Sequence, residues 1–227
     1  MKKASLWQEY SVLNGKGNLI IGYDEDVDDD RKSGSHNLVI GVGHTYTSYG
    51  GIVAGENNEI SGRGASVTGG FRNIASHLRA SVSGGHNNTA SGVHASASGG
   101  FGNTASANHA SVSGGFENTA SSRWASVLGG HSNTASGDWS SVSSGMGNVA
   151  SGLGASVCGG GSNAASGDSA SVSGGVFNVA SGGFSSVSGG SRNIAAGDNS
   201  TVGGGLNRST TLGNYDEWVA GSLYQSD

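Results

Sequence analysis

A 15-residue repeat dominates this sequence and limits the folds open to it more than any other feature does. The segment Ser66-Val67-Thr68-Gly69-Gly70 has ten counterparts at intervals of 15 residues, itself included, and the last is Thr201-Val202-Gly203-Gly204-Gly205. The consensus is S-V-S-G-G-x-x-N-x-A-S-G-x-x-A, and its positions are called columns 1 to 15 below. A strict internal period of this kind is typical of a solenoid, in which each repeat forms one coil and stacks on its neighbours.

The composition is unusual and agrees with a thin, regular structure. Glycine supplies 44 residues, proline is absent and charged residues make up only 12%. Enrichment in Gly and Ser is common in flexible linkers, but a linker has no reason to repeat Val, Asn and Ala at fixed places. The hydrophobic fraction of 34% predicts a narrow core filled with Val and Ala.

The repeat predicts an all-β, single-domain parallel β-solenoid of about 14 coils with 15 residues per coil. Two strands of three to five residues, S-V-S and N-x-A-S, alternate with corners that contain glycine, and their Val and Ala side chains point inward. A helical hairpin is disfavoured because each glycine in a helix costs about 1 kcal/mol. Stacked coils predict a ladder of Asn amides along the axis and a length of roughly 65 Å.

The chain is predicted to have four parts. They are an N-terminal cap at residues 1–17, irregular coils at 18–65 with an acidic insert at 23–36, the regular array at 66–215, and a C-terminal capping coil at 216–227. Gly51–Gly55 is aligned with Ser66–Gly70 at an interval of 15, and Glu217 follows Thr201 by 16. The capping candidates are Trp7, Tyr10, Trp218, Leu223 and Tyr224.

The pattern S-V-x-x-G-x-x-x-x-A-S-G resembles the head repeats of trimeric autotransporter adhesins, which have the approximate form S-V-A-I-G-x-x-A-x-A-S-G. The similarity covers about residues 18–221 and is best at Asn37–Gly41. The resemblance implies a left-handed β-roll, a surface or fibre role, and a trimer. The central coils differ, because Gly replaces Ile in column 4 and Asn replaces Ala in column 8. Loss of the Ile column removes apolar surface and weakens the trimer inference.

Composition and motifs disfavour several functional classes. The net charge of −5 without clustered Lys and Arg argues against a nucleic-acid partner, and the single cysteine, Cys158, excludes an internal disulfide. No apolar run approaches the ~20 residues of a membrane span, and the N-terminus lacks the apolar stretch of a signal peptide. Because Ser fills whole columns and no helix follows the G-x-G strings, catalytic motifs have no specificity here. We therefore expect no enzymatic activity.

The acidic insert contains the sequence's only indication of a cofactor. Alternate carboxylates in this segment supply the hard oxygen ligands that calcium prefers: Asp24, Asp26, Asp28 and Asp30. The glycine and the distal glutamate of an EF-hand loop are missing. A solvated loop without metal is the alternative interpretation.

Two columns of large side chains lie at predicted corners and are the candidate surface for a partner or ligand. Column 14 contains Arg79, His94, His109, Trp124 and Trp139, and column 6 nearby contains Phe71, Phe101 and Phe116, with His86, His131 and Met146 among them. They are predicted to contact a partner chain, to bind a cell-surface or glycan ligand, or merely to cover the corner backbone. His94 and His109 share this column in adjacent coils and are predicted to stack. They are not predicted to bind zinc, because a zinc site needs three or four ligands and no Cys or carboxylate shares their column.

These features predict an extracellular or cell-surface protein that serves as a structural or adhesive module of a fibre. A homo-oligomer, either a trimer or a filament, is the expected assembly. A self-assembling filament subunit is one alternative function. An ice-binding protein is another, because the four segments from Thr89-Ala90-Ser91 to Thr134-Ala135-Ser136 form a T-x-S array, although Val149, Ala164, Val179 and Ile194 then replace Thr.

Overall fold

The chain is an all-β parallel solenoid, as the repeat predicts. The structure, a computed structural model, describes residues 15–23, 31–211, 213 and 215–220. Within these residues there is no helix, and 25 short strands form two parallel sheets of 14 and 11 strands. Each coil contributes one strand to each sheet through most of the chain, so the 14 strands of the larger sheet span about 13 turns. At a strand spacing of about 4.8 Å the rod is roughly 60 Å long.

The strands alternate between the two faces of the rod. The first face contains β1 Leu19–Ile21, β2 Leu38–Val42, β4 Ile52–Glu56, β6 Ser66–Val67, β8 Ser81–Val82, β10 Ser96–Ala97, β12 Ser111–Val112, β14 Ser126–Val127, β16 Ser141–Val142, β18 Ser156–Val157, β20 Ser171–Val172, β22 Ser186–Val187, β24 Thr201–Val202 and β25 Trp218–Val219. The second face contains β3 Thr45–Tyr46, β5 Glu59–Ile60, β7 Ile74–Ala75, β9 Thr89–Ala90, β11 Thr104–Ala105, β13 Thr119–Ala120, β15 Thr134–Ala135, β17 Val149–Ala150, β19 Ala164–Ala165, β21 Val179–Ala180 and β23 Ile194–Ala195.

Strands in the regular array are only two residues long, shorter than the predicted three to five. The hydrogen bonds between coils nevertheless continue past the strand ends. Ser66 N donates to Ala80 O and Thr68 N donates to Val82 O, both at 3.0 Å. Most backbone N–H groups of each coil are therefore used, which disfavours proline.

The core is the predicted narrow column of Val and Ala. Column 2 valines, column 10 alanines and column 15 alanines are all at most 1% exposed. Among the described residues, the larger buried apolar side chains, Tyr46 and Ile60, occur only in the N-terminal coils. The interior is thus nearly the same in every regular coil, and coils differ mainly at their corners.

The structure corrects the alignment at both ends of the array. Val53 pairs with Val67, so that interval is 14 residues and Ile52, not Gly51, occupies column 1. The inward side chains of adjacent coils stay in register along the core. The fifteenth residue is therefore added at the glycine corner, and Glu56 already pairs with Phe71 at an interval of 15. At the other end Trp218 pairs with Thr201, an interval of 17 rather than 16. Its side chain is exposed, and the other four capping candidates lie outside the described residues.

Both corners of each coil turn through a residue in the left-handed region. Columns 7 and 14 have positive φ throughout the array, whatever the residue type. The turn reverses the direction of the backbone N–H, which then bonds to the preceding coil instead of the following one. Asn87 N donates to Phe71 O at 3.1 Å in column 7, and Trp139 N donates to Arg123 O at 2.9 Å in column 14.

The asparagines of column 8 form a buried ladder, but its bonds run from amide to backbone and not from amide to amide. Asn118 is typical: its Oδ1 accepts from Asn133 N at 3.0 Å. Its Nδ2 donates to Gly114 O and to Gly130 O, each at 2.9 Å. Each asparagine therefore satisfies one N–H and two carbonyls of the corner, groups that are costly to bury unpaired.

His44 takes the place of asparagine in the first coil of this ladder. It is 2% exposed; its Nε2 lies 3.0 Å from Ile40 O, and its Nδ1 lies 3.2 Å from Asn58 N. The carbonyl needs a donor and the N–H needs an acceptor, so the neutral ring carries its proton on Nε2. The imidazole thus performs the same bonding as an asparagine amide.

Candidate functional site

Four stacked rings at one corner form the most distinctive surface of the protein. We call His94, His109, Trp124 and Trp139 the second-corner ladder. Successive ring centroids are 5.2, 5.5 and 5.2 Å apart, and the ring planes are parallel to within 5°. All four side chains are exposed. The sequence predicted the stacking of His94 on His109, which the structure confirms, and placed Trp124 and Trp139 in the same column.

The backbone of this ladder is in a conformation that bulky residues rarely adopt. The φ angles lie between 55° and 59°, a region that costs an L-residue roughly 1–2 kcal/mol. Glycine would avoid this cost and does occupy the column at Gly154. Large rings at such positions do not follow from backbone preference, and strain of this kind often marks functional positions. The sequence did not reveal this feature.

Arg79 precedes His94 in the same column but is not a ring in the stack. It is exposed and has φ of 50°. The cation associated with the ladder is instead Arg123, whose guanidinium carbon lies 5.8 Å from the centroid of the Trp124 ring. This distance is within the range of a cation–π interaction.

Asp138 holds Arg123 in place beside the ladder. Arg123 Nε donates to the carboxylate at 3.0 Å, Nη2 forms an ion pair with it, and the Ser122 hydroxyl also donates to it. The hydrogen bond from Ser122, followed by that from Arg123, lowers the pKa of Asp138 below its ordinary value. Because the carboxylate is charged at neutral pH, this contact is present there. It is lost only as the pH falls through the lowered pKa of Asp138.

A second regularity lies beside the ladder, in column 13. Every second coil places an acidic or amide side chain there, whose Oδ1 accepts the backbone N–H of the coil before it: Asn108, Asp138, Asp168 and Asp198. Their 30-residue spacing is visible in the sequence, but a repeat of one coil does not predict it. Three of the four are carboxylates, and because Arg63, Arg79 and Arg123 lie at the same corner, its charges are of mixed sign.

The aromatic side chains of column 6 form a separate ladder at the other corner. The rings of Phe71, His86, Phe101, Phe116 and His131 have successive centroids 4.9–5.0 Å apart, mostly in edge-to-face contact. A strand of the second face separates this corner from column 14 in every coil. The two columns therefore lie at different corners, and the interpretation that column 6 lies near column 14 is wrong. Phe71 and His86 are half-buried, which fits a cover over the corner backbone.

The second face presents the predicted row of hydroxyls. Thr89, Thr104, Thr119 and Thr134 pair directly in register along the sheet. Ser91, Ser106, Ser121 and Ser136 follow two residues later, on the same side of the strand. Val149 replaces Thr in the next coil and is exposed.

The calcium prediction falls outside the described residues, because Asp24, Asp26, Asp28 and Asp30 all lie in the segment 24–30. In the part of the chain that the structure describes, no group of three or more His, Cys, Asp or Glu side chains could hold a metal ion. The stacked pair His94 and His109 therefore has no third ligand among those residues. Calcium binding by the acidic insert stays a prediction.

No protein-family model matches the chain, and no curated protein matches it. The resemblance to trimeric autotransporter heads therefore rests on the repeat residues alone. The parallel solenoid that it implies is confirmed, while the handedness, the trimer and the filament stay predictions. Among the described residues no helix is long and apolar enough to cross a membrane.

Proposed function

We propose that this protein is an extracellular or cell-surface structural module that adheres to a partner through the second-corner ladder. One observation carries the proposal. Four large rings are exposed and parallel at positions where the backbone favours glycine. Exposed aromatic residues are enriched where proteins bind partners.

The solenoid suits this role because it holds the rings in a rigid line. Hydrogen bonds between coils fix the backbone on both sides of each ring: His109 N donates to Val93 O at 2.8 Å and Trp124 N donates to Asn108 O at 3.1 Å. Side chains that are already ordered lose little conformational entropy on binding. The column 6 rings at the other corner are the weaker candidate because they are less exposed and pack mostly edge to face against each other.

Replacement of all four ladder residues by serine tests the proposal. Serine already occupies column 14 at Ser169, where φ is 54°, so the variant is expected to fold. Beads coated with wild-type protein should adhere to epithelial cells and to surfaces coated with extracellular-matrix proteins. Beads coated with the variant should adhere no better than uncoated beads, as counted by microscopy after washing.

The matched control replaces Phe101 and Phe116 at the other corner by serine, the residue found in that column at Ser191. We expect this control to keep most of the wild-type adhesion. Equal loss in both variants, or full adhesion of the four-serine variant, would contradict the assignment of the contact to the second corner.

Ice binding is a second candidate function, favoured by the four threonines that pair in register on the second face. If this face binds ice, a freezing solution of the protein should show thermal hysteresis and faceted crystals. Thr104→Tyr should abolish both effects because its ring disrupts the flat row, whereas Ser98→Tyr on the first face should not. Absence of hysteresis in the wild-type protein would eliminate this candidate.

A further inference from the structure

The stack of rings ends at Trp139, which leaves one face of this indole uncovered. The next residue in the column is Gly154, which has no side chain. Trp139 is accordingly 55% exposed, compared with 44% for Trp124 inside the stack. A Cβ placed on Gly154 would have only the Ser169 hydroxyl within 4 Å, at 3.7 Å, so the column position that follows Trp139 has room for a side chain or a ligand.

This space is a notch between two aromatic side chains. Trp139 forms its floor, and Phe184, the next ring in the column, stands at the opposite end and is 68% exposed. Three coils separate the two residues, a distance of about 14 Å along the rod. Gly154 and Ser169, the two column residues between them, are small.

Two polar groups border the notch. The Ser169 hydroxyl lies beside Gly154, and the Asp168 carboxylate occupies the neighbouring column, where its Oδ1 accepts from Leu153 N at 3.2 Å. Asp168 is exposed and, unlike Asp138, has no arginine at the preceding position of its column, where Leu153 stands. An apolar platform with a few convergent polar groups is the usual composition of a small-ligand site.

We infer that this notch binds a neutral oligosaccharide, with one pyranose ring stacked on the free face of Trp139. The negative face of an aromatic ring attracts the weakly positive C–H groups that line the flat face of a sugar. The inference deepens the proposed adhesive function, on which it rests, by naming the class of ligand.

The polar groups distinguish a neutral sugar from other planar ligands. A serine hydroxyl both donates and accepts, as sugar hydroxyls do, whereas a guanidinium only donates and leaves the donor capacity of Ser169 unused. The carboxylate of Asp168 accepts from sugar hydroxyls but repels acidic sugars, and the net charge of −5 adds to that repulsion. A height of two coils without rings suits a chain of sugars that continues towards Phe184.

The test uses cellotetraose as the neutral probe, because equatorial hydroxyls leave C–H groups on both faces of each sugar. Titration calorimetry and tryptophan fluorescence should both report binding to the wild-type protein. Trp139→Ala should weaken binding about tenfold or more, as loss of an aromatic platform does. Sialyllactose, which is acidic, and N-acetylarginine amide, which is cationic, should bind far more weakly.

A second variant blocks the notch without removing Trp139. Gly154→Leu should cover the free face of the indole with an aliphatic side chain that offers no aromatic face to a sugar, and should weaken binding as strongly as Trp139→Ala. Gly154 has φ of 64°, close to the 58° of Trp139, so a side chain there should follow the same column. Gly64→Leu adds the same side chain at the opposite end of the column, where φ is 63°, and should leave binding within about twofold. Circular dichroism and thermal melting check that each variant folds.

Three results would overturn the inference: no binding of cellotetraose by the wild-type protein, undiminished binding by Gly154→Leu, or tighter binding of the arginine derivative or sialyllactose than of cellotetraose. These results are distinct from failure of the adhesion proposal. Adhesion lost in the four-serine variant, together with no sugar binding, would retain the adhesive corner and reject the sugar. Sugar binding at Trp139 by a protein that does not adhere to cells would do the reverse.

Discussion

Gly115→Ala is expected to lower the free energy of unfolding by about 2–5 kcal/mol, the combined cost of overpacking and of a left-handed alanine. Gly115 has φ of 91°. A Cβ there would lie 2.5 Å from Asn118 Nδ2 and 2.8 Å from Gly130 N, with Gly130 O also in the way. The coils would have to separate at this corner. Urea denaturation followed by circular dichroism measures the effect.

The neighbouring glycine is a matched control. Nothing lies within 4 Å of a Cβ on Gly114, and its φ is outside the left-handed region. Serine occupies the same column at Ser144. Gly114→Ala should therefore stabilise the protein by about 0.4–1 kcal/mol, because it restricts the unfolded chain. Similar destabilisation by both substitutions would show that the close contact between coils does not require glycine in column 5.

Asn118→Asp is expected to cost about 3–5 kcal/mol at neutral pH, as removal of a partner from a buried polar network does. The side chain is fully buried, and its Nδ2 donates to Gly114 O and Gly130 O at 2.9 Å. A carboxylate has no proton to donate and would face both carbonyl oxygens. Urea denaturation at pH 7 measures the loss of stability.

The pH dependence of this variant has a defined sign. Burial and the adjacent carbonyl oxygens raise the pKa of the introduced carboxyl above its unfolded value of about 3.9. A raised folded-state pKa means that stability is lost as the pH rises through it, so the deficit relative to wild type should shrink as the pH falls. The protonated acid can then donate one of the two missing bonds.

Asn87→Asp makes the same chemical change at an exposed column 7 position. Its φ of 56° is one that Asp and Asn both tolerate, so this variant should stay within about 0.5 kcal/mol of wild type. If Asn118→Asp were equally mild, the asparagine ladder would not be a main source of stability.

Much of the fold could be predicted because a solenoid repeats the same pattern of strands and corners in every coil. The period identifies one coil, and alternation within it identifies the inward residues, Val in column 2 and Ala in column 10. The recurring glycine of column 5 marks one corner of each coil, and Gly115 shows there the close backbone contact that needs glycine. These conclusions need only one coil and an identical neighbour.

The candidate site could be predicted only in part. The stacking of His94, His109, Trp124 and Trp139 followed from their shared column. The positive φ of that column, the carboxylates in every second coil, and the open face of Trp139 did not. Each depends on where the backbone of one coil meets the groups of the next, and residue types alone do not specify that geometry.

The sequence by itself determined the class of fold, the length of the regular coil, the composition of the core and the residues that vary at the corners. Only the tertiary structure decided the pairing of Val53 with Val67, the amide-to-backbone bonding of the asparagine ladder, and the separation of the two aromatic columns onto different corners. The physical reason is that inward side chains and unpaired backbone groups must both be satisfied by the adjacent coil. The register and the turn direction that achieve this are properties of the stacked pair, not of the single repeat.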